Sequence, residues 1–112
     1  MKAILIETTG KVSRIEIRDY KDIQVAVGGY IQWIPFAESN AAYVNEEGKL
    51  LNLPENYLAT RLCFKYDVGL SSSDYISGNM VVVGQSDNDG SEMDIDDELA
   101  EALLKENRNE SA

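Results

Sequence analysis

The chain has 112 residues, 44% of them hydrophobic, and carries 20 acidic against 10 basic side chains, a net charge of −10. That is material for one domain with one core, at a size where roughly two-thirds of the unfolded surface can be buried. With no histidine, one cysteine and no apolar run near the roughly 18 residues of a membrane span, the composition speaks against a Ser-His-Asp triad, a histidine zinc site, an internal disulfide and a membrane-spanning helix.

The N-terminal "MKAILIETTG" is interrupted by Glu7 before the apolar core of a signal peptide would end, so a cytoplasmic protein beginning with a strand is expected. "KAILIE" and "KVSRIEI" predict strands near 2–7 and 12–17, the second alternating through Val12, Ile15 and Ile17, with Gly10 in the turn between them. Asp19 is placed to cap a helix over 20–27, because its carboxylate can accept from free amides of the first turn, and Gly28–Gly29 ends it. "YIQWIPF" predicts a strand over 30–36 at a sheet edge or bulge, since Pro35 removes one ladder donor. The segments 41–45 and 49–51 flank "NEEG" and predict a hairpin in which Asn45 starts the turn. Asn56 then caps a helix near 57–66 with Leu58, Leu62 and Tyr66 toward one face. "DVGLSSSD" is a loop, and "GNMVVVG" predicts an interior strand near 78–84 because its apolar run is continuous. Ile95, Leu99 and Leu103 recur every fourth residue behind an Asp-rich first turn, which predicts a helix near 96–105. The expected organisation is an α+β domain over 1–85 with a mixed, mainly antiparallel sheet, an acidic linker over 86–94, and a short C-terminal helix over 95–107 that docks or binds a partner.

Charge is distributed unevenly. Residues 1–85 hold ten acidic and eight basic side chains, net −2, whereas residues 86–112 hold ten and two, net −8. Such an end repels phosphate backbones and attracts a basic protein surface, so a protein partner is expected and direct nucleic-acid binding is not.

The chemistry-bearing motifs are weak. "QSDNDGSEMDID" places Asp87, Asp89 and Gly90 at the third, fifth and sixth positions of a calcium loop, but Gln85 and Asp96 stand where the two anchoring ligands belong, so no metal is expected. The triplet Ser71–Ser72–Ser73 has no base beside it and Cys63 no histidine, which leaves an enzyme only carboxylates, tyrosines and lysines; no catalytic residue and no cofactor is expected. Alternation cannot bury all the large side chains of "YIQWIPF" on one face, so Trp33 and Phe36 are candidate protein-binding residues, together with the acidic Asp94, Asp96, Asp97 and Glu98. Arg61 and Lys65, one helical turn apart, make a small anion site with an aromatic face such as Tyr30 if Arg14 or Arg18 joins them.

"MKAILIETTGKV", "VGGYIQWIP", "YVNEEGKLLNLPENYLAT" and "SGNMVVVG" together resemble a small domain-of-unknown-function family encoded mainly by bacteriophages and other mobile elements, over about residues 1–84. Tyr57 after Asn56 departs from the proline often found there, a residue favourable at the first helical position without being required. The family has no assigned catalytic residues. The resemblance implies a phage or mobile-element accessory protein in a bacterial cytoplasm. Three readings follow: a non-enzymatic modulator of a host protein with a basic surface, a small-molecule sequestering protein, and a homo-oligomer closed by the apolar strand or terminal helix.

Overall fold

The computed structural model of the protein describes residues 1–86 and 89–108. Its elements run β1 (Lys2–Ile6), β2 (Val12–Glu16), α1 (Tyr20–Val27), β3 (Ile31–Pro35), β4 (Asn40–Asn45), α2 (Tyr57–Lys65), β5 (Met80–Gln85), β6 (Glu92–Met93) and α3 (Asp97–Leu104). The strands form one six-stranded sheet in the order β2-β1-β5-β4-β3, with β6 also on β5. Every pairing between the named strands is antiparallel, so the α+β fold is the expected one without a parallel pair.

The order explains the residue types. β5 lies between β1 and β4 and is covered on both faces, which is why "MVVV" is continuously apolar rather than alternating. Met80 and Val82 join Ile4, Ile6, Ala42 and Val44 beneath α2 and α3, while Val81 and Val83 join Ala3, Ala41 and Tyr43 beneath α1. One helix therefore seals one face and two seal the other. The α1 termini are those read from sequence: Asp19 accepts from Lys21 N, and Gly28 closes the helix in the left-handed region.

Residues 49–51 form no strand, and the expected hairpin is absent. β4 stops at Asn45 and the chain turns at once, with Leu50 and Leu51 exposed. Conversely, the segment expected as an acidic linker contains β6. A side chain at Gly84 would put its Cβ 2.1 Å from the Asp94 carbonyl oxygen, so only glycine admits the β6 backbone at this approach. Ile95 N then donates to Lys2 O at 3.0 Å. From there α3 docks on its own chain, burying Ile95, Leu99, Ala100 and Leu103 in the same core as α2. At about 2 kcal/mol per large aliphatic side chain, this helix is part of the folded body rather than an appendage.

Asn56 ties three elements together. It is fully buried, its Oδ1 accepts from Ala59 N at the start of α2, and its Nδ2 donates to Ile6 O of β1 and to Gly78 O before β5, each at 3.0 Å. Asn45 plays a smaller version of this part, donating to Val27 O and accepting from Glu47 N. The polar cluster around "NEEG" and "LPEN" is thus held by turn and cap bonds, and among the described residues no buried side-chain polar atom lacks a partner.

Candidate functional site

The two sheet edges are treated differently by the chain. At β2, Val12 N donates to the Asn107 side chain and Gly10 O accepts from Arg108 N, so the C-terminal segment covers that end of the edge. At β3, no strand pairs with the outer side among the described residues. Phe36 N donates to Asn40 O and Glu46 N to Tyr30 O, which places Tyr30 and Phe36 in register with β4. Antiparallel bonding alternates, so Ile31 and Trp33 turn their backbone N–H and C=O outward, and Pro35 turns out a carbonyl alone. No side chain from Ile31 to Pro35 is charged. Trp33 stands 47% exposed on the α1 face of this edge, and Tyr30 just before it is 67% exposed.

On the opposite face of the same strand, Gln32 and Ile34 border a cleft of about 320 Å³ between the turn at 45–50 and the loop at 68–77. Val44, Val68, Leu70 and Ile76 supply apolar lining, and Glu46, Glu47, Lys49, Asp74 and Tyr75 supply polar lining. The two loops meet because Gly48 lies so close to Ser77 that a Cβ there would sit 2.7 Å from the Ser77 carbonyl oxygen. Lys49 forms an ion pair with Asp74 and places its Nζ 4.5 Å from the Tyr75 ring centroid. The hydrogen bond from Lys49 holds the Asp74 carboxyl below the usual carboxylate range, and the same bond raises Lys49. Lys49 is therefore engaged, whereas Glu46 and Glu47 are exposed and have no ion pair among the described residues. By residue type "NEEG" is a hairpin turn, 49–51 a strand and "DVGLSSSD" a loop. Ser77 also forms an isolated antiparallel bridge with Glu55, a pairing for which the local sequence carries no signal.

The other candidate residues are dispersed. Phe36 is wholly buried, its ring centroid 5.0 Å from that of Tyr66, and it does not share the surface of Trp33. Residues three apart in an extended chain point to opposite faces, so this separation was readable from the spacing. Arg61 and Lys65 do lie together on α2, but Glu106 holds both, at 2.7 and 3.3 Å, with Arg108 at 3.5 Å. Arg14 pairs with Glu101 and Arg18 with Asp22, so neither completes an anion site there. The shallow surface that Lys65 lines is otherwise formed mostly by Asp97, Glu98, Glu101 and Glu106, with no aromatic among its described lining residues, while Lys65 Nζ lies 5.8 Å from the Tyr66 ring centroid; Tyr30 lines a separate hollow with Gly29, Asn45 and Leu51. Asp94 accepts from Lys2 N, and Asp96 caps α3 by accepting from Leu99 N. Asp97 and Glu98 remain exposed on the first turn of α3. That helix contacts β1 and β2, at the other end of the sheet order from Trp33.

Among the described residues, no cluster of acidic or thiol side chains is arranged to hold a metal ion. Asp87 of the calcium-like segment lies outside the described residues, and Asp89 accepts from the backbone and hydroxyl of Ser91. Burial pushes the Cys63 thiol up to about 12, where a thiolate nucleophile is not formed at neutral pH. Burial, then the hydrogen bond to Glu92, likewise raises the Tyr43 hydroxyl. No described helix is long and apolar enough to cross a membrane.

A family model described as a domain of unknown function, DUF3846, matches residues 1–108. The match extends past residue 84 and takes in β6 and α3. No curated protein and no solved structure matches the chain.

Proposed function

Since the chain belongs to the DUF3846 family, we propose that it is a non-enzymatic accessory protein, of bacteriophage or mobile-element origin, that binds a host protein in the bacterial cytoplasm and modulates it. The observation that carries this reading is the uncharged β3 edge, unpaired among the described residues, with Trp33 half exposed on it. A large aromatic left in water beside open backbone groups is the kind of anchor around which protein interfaces are built. The absence of histidine and the buried, poorly acidic Cys63 support binding over catalysis. The net charge of −10 favours a target with a basic surface, a nucleic-acid or defence enzyme being the kind whose groove an acidic protein blocks.

Two surfaces compete for the contact, Trp33 on β3 and the Asp97–Glu98 turn of α3. Deleting residues 86–112 cannot separate them, because Leu99 and Leu103 belong to the core. Full-length chain is instead used as bait in host lysate at low and moderate salt, beside W33A and the double variant D97N/E98Q. A host protein retained by the wild type and lost with W33A supports the reading; binding that survives both variants, or no specific protein at either salt, refutes it.

A further inference from the structure

We propose that the β3 edge and the adjoining cleft form a docking groove for an extended, basic segment of a partner protein, which adds to the sheet as another strand. The inference rests on the protein-binding reading above and specifies its site and the chemistry of the partner.

Three features converge on this groove. Ile31 and Trp33 present outward-facing backbone donors and acceptors at a spacing that an antiparallel or parallel strand can match. Proteins usually protect such an edge with charges or a covering segment. Here β2 has the Asn107 and Arg108 contacts, whereas among the described residues β3 has only Pro35 at its far end. Second, the surfaces on either side of the edge suit the alternation of an added strand. Its side chains would point in turn toward Ile34 and the cleft, and toward Trp33 on the other face.

Charge selects the occupant. Glu46 and Glu47 line the cleft without an ion pair among the described residues, and the one lysine there is bound to Asp74. A lysine or arginine in the incoming segment therefore finds a carboxylate, while an acidic segment meets repulsion. A second copy of this chain would bring another net charge of −10 to the same edge, which disfavours self-pairing.

The test is selection of random linear twelve-residue peptides, displayed on phage, against immobilised full-length protein, followed by amide chemical-shift mapping with the synthetic winner. The expected winners alternate apolar with lysine or arginine, and they shift the Ile31 and Trp33 amides and the Trp33 indole. Affinity should fall with added salt and drop at least about tenfold, some 1.4 kcal/mol, in both W33K and the double variant E46K/E47K. Both sets of side chains are solvent-facing, and unchanged melting temperatures verify their folds. Winners of acidic or helical character, or shifts confined elsewhere, overturn the groove. Peptides lost only with D97N/E98Q would overturn it too, yet leave the protein-binding reading intact. A concentration-dependent dimer that protects the Ile31 and Trp33 amides without peptide would assign the edge to a second copy.

Discussion

Replacing Asn56 with alanine removes one side chain and three buried hydrogen bonds at once. The α2 cap is lost because Ala59 N no longer has Oδ1, which costs about 1 kcal/mol. The carbonyls of Ile6 and Gly78 each lose the Nδ2 donor, Ile6 O keeping its place in the β1–β5 ladder, and a lost hydrogen bond costs about 1 kcal/mol apiece. The sum, about 3 kcal/mol, is a large share of the roughly 5–15 kcal/mol that holds a domain folded. At about 4 °C per kcal/mol for a chain of this length, N56A should melt about 12 °C lower. Urea denaturation followed by circular dichroism supplies the free-energy difference, with the slope unchanged if the unfolded state is unaffected. N56D sharpens the test, because aspartate keeps the acceptor for Ala59 while aiming a carboxylate at two carbonyl oxygens. Its folded-state pKa should be raised, so N56D should gain on N56A as pH falls and lose that gain as pH rises through the raised value. A loss in N56A below about 1 kcal/mol would refute the reasoning and show that these bonds are replaceable by water.

Other consequences are open to equally direct measurement. Cys63, with its thiol pushed up to about 12 by burial, should resist iodoacetamide at pH 8 in native buffer and react fully in denaturant; labelling at the rate of a free thiol would show that the α2 core opens. Glu106 is held below the usual carboxylate range by hydrogen bonding to Arg61 first and Lys65 next. Its stabilising contribution is therefore present above the unfolded value of about 4.3 and lost as pH falls through the folded one. The difference in melting temperature between wild type and E106Q should shrink as pH is lowered from 6 toward 2 (~four pH units on the acid side), and a difference independent of pH would count against these ion pairs. In G84A the new Cβ would collide with the Asp94 carbonyl, so β6 should be displaced at a cost of about 2 kcal/mol or more, with lost exchange protection at the Ile95 amide; unaltered protection would mean the backbone shifts freely there.

What the sequence determined by itself is local. Asp19 and Gly28 bound α1 because caps act within one turn, and "MVVV" declared an interior strand because a segment covered on both faces has no polar side to show. Pro35 marked an edge for the same kind of reason, and the spacing of Ile95, Leu99 and Leu103 announced α3. Even the divergence of Trp33 and Phe36 onto opposite faces follows from the two-residue period of a strand.

Only the tertiary structure decided where those pieces meet. "KLLN" has the residue types of a returning strand, yet the turn is pinned to Ser77, distant in sequence, and Leu50 and Leu51 stay in water. "EM" has little strand character, yet it pairs because Gly84 leaves room for its backbone. Arg61 and Lys65 are a candidate anion site by sequence, yet Glu106 holds both, and the terminal helix, whose apolar stripe suits its own core or a partner equally, puts its leucines into its own core. The cleft of the candidate groove belongs to this second class, since Ile34, Glu46 and Ile76 become neighbours only through sheet pairing and the contact of two loops. Side-chain periodicity is set by a residue's nearest neighbours along the chain, whereas a site is a set of distances between segments whose separation in sequence gives no account of their contact.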